Sequence, residues 1–235
     1  MIEFSSVSHH IQKHIIDVLM YQKYARFRDL RPKNTDTNLF SYHLSSLLKT
    51  KMVEKSPEGY TLSLQGLSYV DRVSSEVRAV RTQPKIITML VIQNSNGDVL
   101  LQHRSKQPYI GTWTLPYGKL HIEDETTAAA AKREAWEKLG VADAPVVHAG
   151  DCYVRVHMDG AILSTTLAHI YRFNTDEIKE SDTIHWARPL KLGHYELAPA
   201  VEEIITQTFF QDPYFFEEFT TDWKLGTAVV EPRHQ

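Results

Sequence analysis

The segment 118–141 constrains the fold of this chain most strongly, because it predicts a loop that leads directly into one helix. Its sequence is GKLHIEDETTAAAAKREAWEKLGV. Good helix formers fill its second half, and Gly140 stands where a helix is expected to end. Glu134 and Glu137 are three residues apart, so a helix carries both carboxylates on one face. Such carboxylates beside a glycine-containing loop can hold a hard divalent cation.

Taken without its flanks, the end of this segment is also typical of a solvent-exposed helix. Glu134 and Lys138 are four residues apart, a spacing at which a helix forms a surface ion pair. The flanks favour the first interpretation. Two strand-like runs, 86–93 and 99–104, are joined at 94–98 by the turn sequence NSNGD, which predicts a β-hairpin.

The segment resembles the Nudix box: Gly, five residues, Glu, seven residues, Arg-Glu, an apolar residue, any residue, Glu-Glu, any residue, Gly and an apolar residue. Residues 115–119, LPYGK, are similar to the Leu-Pro-Gly-Gly sequence that precedes the box. Six residues, not five, separate Gly118 from Glu125, and Lys138 replaces the second Glu of the Glu-Glu pair. The matching positions are Glu125, Arg133, Glu134, Ala135, Glu137, Gly140 and Val141.

This resemblance implies a Nudix-type α/β/α sandwich with a mixed sheet over residues 84–211. The periodicity agrees, because 146–158 and 161–173 are strand-like runs broken at Asp159-Gly160. Residues 198–209 carry apolar side chains at helical spacing and predict a final helix.

The resemblance also implies a chemistry, the metal-dependent cleavage of a nucleoside diphosphate linked to another group. Glu134 and Glu137 would hold Mg²⁺ or Mn²⁺, and Arg133 would orient a carboxylate, for which we expect Glu125. Arg104 and Lys119 could meet substrate phosphates, although a solvated surface role fits each of them as well.

Lys138 stands where the family has a principal metal ligand, so its positive charge opposes the binding of a metal cation there. Its ammonium could swing into water, or Glu123 and Asp124 could supply replacement oxygens. Alternatively, the ammonium itself could stand near the diphosphate in place of a metal. The site would then bind its ligand and hydrolyse it poorly, with no metal cofactor required.

Residues 1–83 predict a separate domain in the order helix, helix, helix, hairpin, helix. Apolar residues at helical spacing begin at Ile11, and Asp36 or Thr37 can cap the third helix. The turn sequence at 56–59 joins two short strands, and the closing helix is expected at 64–77.

Residues 40–66, FSYHLSSLLKTKMVEKSPEGYTLSLQG, resemble the winged-helix family of DNA-binding transcription regulators. Lys51 stands where that family usually has Gly before the wing. The resemblance implies a winged helix-turn-helix that binds double-stranded DNA, usually as a dimer. The alternative is a protein-interaction module, since Glu54 and Glu58 in the wing would repel phosphates. The expected DNA-binding residues are Asn38, Ser41, Tyr42 and Ser45 for base edges, and Arg28 and Lys49 for phosphates.

The distribution of charge agrees with an anionic partner for the first domain. The chain of 235 residues has a net charge of −3, but residues 1–83 carry 12 Lys and Arg against 8 Asp and Glu.

No apolar run approaches the length of a membrane span, and the N-terminus lacks a signal-peptide pattern, so we expect a cytoplasmic protein with no membrane partner. Cys152, the only cysteine, excludes an internal disulfide and is expected to be structural.

The segment 212–235 is an aromatic C-terminal tail, and aromatic side chains at this density are rarely left in water. It is expected to pack on the chain itself or on a partner subunit of a homodimer.

The sequence therefore predicts an α+β protein that senses a nucleotide metabolite and regulates transcription, with a catalytically weakened Nudix domain. Nudix-related regulators of NAD metabolism combine the same two modules with the winged helix second. Here the order is reversed, so the identity of the effector is not carried over. The alternative is an active Nudix hydrolase, with the winged helix as an accessory module; a pure interaction protein is a third class.

Overall fold

The computed structural model describes residues 7–73, 83–210 and 214–224. The chain divides into two compact units. The first contains the chain up to Pro84 together with residues 104–111, and the second contains 85–103 and the chain from Thr112 onward. Residues 104–111, which we expected within the second domain, thus cluster with the first, where the Gln107 amide donates to the Met20 carbonyl at 3.0 Å.

The first unit has the expected order of three helices, a hairpin and a helix. Asp36 begins the third helix, because its carboxylate accepts hydrogen bonds from the amides of Asn38 and Leu39. The closing helix ends at Arg72, and residues 74–77 of the predicted helix lie outside the described residues. The elements are α1 (His10–Tyr21), α2 (Phe27–Leu30), α3 (Thr37–Lys49), β1 (Val53–Ser56), β2 (Gly59–Leu62) and α4 (Leu64–Arg72).

The hairpin of β1 and β2 is fixed to the segment before α2. Ala25 and Tyr60 exchange two backbone hydrogen bonds, at 3.0 and 2.9 Å. Gly59 makes this approach possible, because its φ is +146° and a Cβ there would lie 2.7 Å from the Ala25 carbonyl oxygen. The core beneath the hairpin is apolar and contains Ile11, Ile15, Leu19, Leu30, Phe40, Leu47, Met52 and Leu62.

The second unit is built on one mixed sheet, as expected from the sequence, and its described residues contribute eight strands to it. The strands follow the order β10-β7-β8-β3-β4-β5, with β6 paired to β3 and β9 paired to β4. The pairs β3–β8 and β10–β7 are parallel, and the others are antiparallel. The strands are β3 (Lys85–Gln93), β4 (Val99–His103), β5 (Trp113–Thr114), β6 (Tyr117–Lys119), β7 (Val147–Met158), β8 (Ala161–Asn174), β9 (Ile184–Ala187) and β10 (Phe215–Asp222).

The described residues of the second unit also form two α-helices and a 3-10 helix. They are α5 (Thr127–Leu139), a 3-10 helix (Pro189–His194) and α6 (Val201–Phe210). Ala131 and Ala135 of α5 are fully buried in a core with Leu90 and Phe173 of the sheet. Because alanine is small, this face lets the backbone of α5 approach the sheet closely. None of the helices in the described ranges is long and apolar enough to span a membrane.

The described part of the aromatic tail packs on the chain itself, as the edge strand β10. It pairs in parallel with β7, from Phe215 opposite Gly150 to Asp222 opposite His157. Phe215 is buried against Gly150, where a Cβ would lie 2.6 Å from the Phe215 ring. The neighbouring Phe216 alternates to the other face and is 58% exposed.

Candidate functional site

Helix α5 presents the charged residues of the segment 118–141. The Thr126 hydroxyl begins the helix by accepting from the Ala129 amide at 3.0 Å. Gly140 ends it in the left-handed conformation, with φ of 70°. The Thr127 hydroxyl lies 2.6 Å from the Tyr171 hydroxyl on β8, so the first turn is also fixed to the sheet.

Glu134 is the most buried charged side chain of this helix, with 4% of its surface exposed. Its carboxylate lies directly on the backbone of Gly118 in β6. A Cβ at position 118 would lie 1.6 Å from the Glu134 carboxyl carbon, closer than any real contact. Gly118 is therefore needed for space, because only glycine leaves room for this carboxylate.

Arg133 binds three carboxylates and one carbonyl with a single guanidinium. It donates to both oxygens of Asp124 at 2.9 Å, to Glu134 Oε1 at 2.8 Å and to the Lys119 carbonyl at 3.0 Å. Glu137 is more weakly held, at 3.3 Å, and its side chain is 51% exposed. The hydrogen bond from Arg133 lowers the pKa of Asp124 to about 2, and the same contacts raise the pKa of Arg133.

The carboxylate that Arg133 orients is Asp124, which corrects the sequence-based expectation of Glu125. Glu125 is exposed, whereas Asp124 also accepts from the His121 amide at 2.7 Å and is held in the loop. Counting five residues from Gly118, as the box requires, leads to Asp124. The additional residue thus falls between Asp124 and Arg133. Counting forward from Gly118 gives Asp124, whereas counting back from Arg133 gives Glu125.

Lys138 folds back onto the site instead of extending into water. Its Nζ lies 3.2 Å from Glu134 Oε2, donates a hydrogen bond to the Tyr117 carbonyl and lies 5.0 Å from the centroid of the Tyr117 ring. The sequence left three arrangements open for Lys138. In the structure its ammonium lies among the oxygens that a metal would use. Glu123 and Asp124 do not add replacement oxygens at this position, because Asp124 is bound to Arg133 and Glu123 is exposed.

This arrangement does not fit a divalent ion at Glu134. Arg133 holds one oxygen of the carboxylate and Lys138 the other. A divalent cation about 4 Å from the ammonium would be repelled by about 8 kcal/mol at an effective dielectric of about 20. Glu137 alone, half exposed, is a weak site for Mg²⁺, which prefers several oxygen ligands in octahedral geometry.

The two cations expected to meet substrate phosphates have different positions. Arg104 lies in the 104–111 segment of the first unit, with its guanidinium 5.4 Å from the Tyr109 ring centroid. Lys119 lies in β6 and contributes its carbonyl to Arg133. The structure therefore brings Lys119 together with the residues of α5, and it assigns Arg104 to the other unit.

The expected DNA-binding residues lie on the outer face of α3 and beside it. The inner face of α3 is buried through Phe40, Leu44 and Leu47, and Tyr42 on the outside is 70% exposed. Arg28 forms an exposed ion pair with Asp29 at 3.3 Å. Asn38, Ser45, Arg28 and Lys49 are exposed, and Ser41 is partly buried.

Cys152 is buried in β7, and this burial raises the pKa of its thiol to about 12. A thiol with this pKa stays protonated at neutral pH and is a poor nucleophile, in agreement with the structural role expected from the sequence.

The model of the NUDIX domain family matches residues 83–207, which is more than half of the chain. The chain belongs to the NUDIX domain family. Its NUDIX domain is similar in fold to a mutator MutT protein from Bacillus halodurans, with 19% identity, a TM-score of 0.48, and coverage of 58% of this chain and 89% of that chain.

Two further similar structures come from Shewanella oneidensis NrtR. The NUDIX domain of NrtR complexed with ADP ribose is 17% identical, with a TM-score of 0.46, and the match covers 60% of this chain and 94% of that chain. NrtR complexed with a 27mer DNA is 19% identical, with a TM-score of 0.45, and the match covers 52% of this chain and 59% of that chain.

Proposed function

We propose that this NUDIX protein is a transcription regulator that senses a nucleoside diphosphate derivative and hydrolyses it weakly or not at all. The observation that carries the proposal is the position of the Lys138 ammonium, between the Glu134 carboxylate and the Tyr117 carbonyl. A cation of the chain itself thus occupies the oxygens that would hold a catalytic metal.

An ammonium in this position suits binding better than catalysis. It can donate three hydrogen bonds, and Glu134 and the Tyr117 carbonyl accept two of them. We assign the third to a phosphate oxygen of the ligand, which the 30% exposure of the Lys138 side chain allows. A single positive charge can pair with a diphosphate, but it does not lower the pKa of an attacking water as a bound metal does.

The first unit supplies the regulatory half of the proposal. Its order of helices and hairpin is the order that the winged-helix resemblance implies, and in that family's arrangement α3 would enter the major groove. Tyr42 and Asn38 are exposed there with groups that can reach base edges, and Arg28 and Lys49 are exposed cations for phosphates. We infer that a homodimer binds double-stranded DNA, because proteins with this motif commonly recognise two half-sites.

The test is a ligand panel applied to the intact protein. ADP-ribose, NAD, dinucleoside polyphosphates, nucleotide sugars and nucleoside triphosphates are each incubated with Mg²⁺ and then Mn²⁺. Turnover is read by chromatography and binding by the rise in melting temperature. We expect a panel member that raises the melting temperature without appreciable turnover and that changes retardation of genomic DNA fragments at low salt. No retardation of any fragment would overturn the regulatory proposal.

The variant Lys138→Glu tests the role of the ammonium. We expect it to gain Mg²⁺-dependent hydrolysis of the bound ligand, because the change removes a repelled charge and adds an oxygen ligand. The matched control is Lys138→Gln, which loses the ammonium without adding a carboxylate and should gain no turnover. An unchanged hydrolysis rate in a folded Lys138→Glu protein would contradict our account of the block.

The second candidate is an active hydrolase that uses the first unit as an accessory module. The partial exposure of Lys138 favours it, since a long side chain can turn its ammonium into water and leave Glu134 and Glu137 to a metal. Robust turnover by the intact protein, lost in Glu134→Gln, would establish this function instead.

A further inference from the structure

A second cluster of titratable side chains lies on β7 and β8, and none of its residues belongs to the segment 118–141. Asp151 of β7 and His169 of β8 are directly opposite each other in the antiparallel pair. His148 is three residues before Asp151, a spacing that normally puts two side chains on opposite faces of a strand. A bulge between His148 and Gly150 changes the register, and His148 thereby joins Asp151 and His169 on one face.

The two imidazoles converge on a single carboxylate oxygen. His148 Nε2 lies 3.0 Å from Asp151 Oδ1, and His169 Nδ1 lies 2.6 Å from the same atom. The Tyr214 hydroxyl, just before β10, donates to the other oxygen, Oδ2, at 2.5 Å. Tyr171 stacks on the His148 ring at 4.9 Å and limits its rotation. The donor atoms of the two histidines and Asp151 all lie within 4.8 Å of one another.

We propose that His148, Asp151 and His169 form a binding site for a divalent transition-metal ion of the Zn²⁺ class. Two imidazoles and one carboxylate are ligands that Zn²⁺, Ni²⁺ and Co²⁺ accept, whereas Mg²⁺ prefers oxygen ligands alone. The site is therefore chemically distinct from the carboxylates of α5.

The geometry requires only small movements to receive the ion. Two donor atoms at 2.0–2.1 Å from a tetrahedral Zn²⁺ lie roughly 3.4 Å apart. The two nitrogen–oxygen separations here are 2.6 and 3.0 Å, so each ring nitrogen needs to move away from Asp151 Oδ1 by less than an ångström. The two ring nitrogens lie within 4.8 Å of each other. An ionised Asp151 carboxylate can only accept, so each of these two ring nitrogens is the protonated one and donates a hydrogen bond to it. On binding, each neutral imidazole takes the other tautomer and offers the lone pair to the ion.

Exposure and the second coordination shell favour an exchangeable ion. The side chains of His148, His169 and Asp151 are 36%, 20% and 19% exposed, so an ion can reach them from solvent. Three protein ligands leave a coordination position open, as in sites where a metal binds a further molecule. Tyr214 holds the carboxylate from its far side, which is the usual task of a second-shell residue.

The test uses the full chain, prepared without a histidine tag, stripped with EDTA and titrated with Zn²⁺ in a calorimeter. Bound metal is counted by mass spectrometry, and Co²⁺ is added to obtain a visible absorption spectrum of the coordination sphere. We expect one tight equivalent that is lost in His169→Ala and in Asp151→Asn. The variant Tyr214→Phe should retain the equivalent with roughly tenfold to hundredfold weaker affinity.

The matched control is His157→Ala, which removes a partly exposed imidazole from the same strand and should leave the tight equivalent intact. The melting temperature of every metal-free variant shows that it is folded, and added Zn²⁺ should raise it in the wild-type protein but not in Asp151→Asn. The absence of a tight equivalent in the wild type, or equal binding by Asp151→Asn and the wild type, would overturn the proposal.

Discussion

Arg133 and Lys138 hold the Glu134 carboxylate from opposite oxygens, so the charge of this buried group is balanced without any bound ion. A buried carboxylate is costly unless it is paired and hydrogen-bonded. The (i, i+4) pair of Glu134 and Lys138, weighed from the sequence as a feature of an exposed helix, is present, but it is placed against the Gly118 backbone. The Glu134–Lys138 ion pair is therefore part of the site that the Nudix-box segment forms.

The sequence analysis assigned the partner of Arg133 to Glu125 instead of Asp124, and the reason is a limit of counting residues along a motif. The match of Glu125 depended on counting backward from Arg133, and the loop contains one residue more than the pattern. Whether the additional residue falls before or after the acid is decided by the turn from His121 to Asp124, which fixes Asp124 through backbone hydrogen bonds. This turn depends on local backbone geometry, which the pattern does not contain.

Asp124 should make the stability of the second unit depend on pH in the acidic range. Its pKa is lowered from 3.8 to about 2, so the ion pair stabilises the folded state above pH 4 and is lost as the pH falls toward 2. We expect Asp124→Asn to lower the free energy of unfolding at pH 7 by roughly 1–3 kcal/mol and to flatten its decline between pH 4 and 2.

The measurement is urea unfolding followed by tryptophan fluorescence, which reports on the second unit because Trp113, Trp136, Trp186 and Trp223 all belong to it. Glu125→Gln is the matched control and should behave as the wild type, since Glu125 is exposed. If Glu125→Gln showed the larger effect, Glu125 would be the partner of Arg133 in solution.

At the scale of elements, the sequence predicted what depends on local chemistry. The turn at 94–98 forms as expected, because Asn94 accepts from the amides of Asn96 and Asp98 and joins β3 to β4. The end of α5 was also predictable, from Gly140. Strands β5, β6 and β9 contain only two to four residues, and they form because longer strands offer them partners.

Pairing between distant segments was not predictable from periodicity. Nothing in residues 212–235 indicates a parallel strand, since the partner of β10 is more than sixty positions away in sequence. The cluster of His148, Asp151 and His169 was missed for the same reason. His169 is 18 residues from Asp151, and the bulge after His148 moves that side chain to the opposite face of the sheet from the one its spacing predicts.

The docking of β10 should depend on one aromatic side chain. Phe215 is 5% exposed and packs on Gly150, so we expect Phe215→Ala to cost about 3 kcal/mol in the stability of this strand. Hydrogen exchange of the amides of β10 measures this local stability directly. The control is Phe216→Ala, which truncates the exposed neighbour and should change stability by less than about 0.5 kcal/mol. Equal protection in both variants would mean that Phe215 does not hold the strand.

At the scale of the whole molecule, the proposed DNA contacts predict a specific dependence on salt. Each cation that neutralises a phosphate adds about 0.9 to the slope of log affinity against log salt concentration. We expect Arg28→Ala and Lys49→Ala each to reduce this slope by about one, measured by fluorescence anisotropy of a retarded fragment. Lys132→Ala removes an exposed cation from α5 in the other unit and should leave the slope unchanged. A reduced slope in the Lys132 variant would place DNA on the second unit.

The regulatory proposal also requires that the ligand and DNA influence each other's binding by the same factor. Coupling between two sites is reciprocal, so a ligand that weakens DNA binding tenfold must itself bind tenfold more weakly to the DNA complex. Lys138→Gln should abolish the effect of the ligand while DNA affinity without ligand stays at the wild-type value. Calorimetry with and without DNA measures one side of this equality, and anisotropy measures the other. Unequal factors would show that the ligand changes the protein by another route, such as aggregation, and a variant that loses DNA affinity without ligand would show that Lys138 acts on folding.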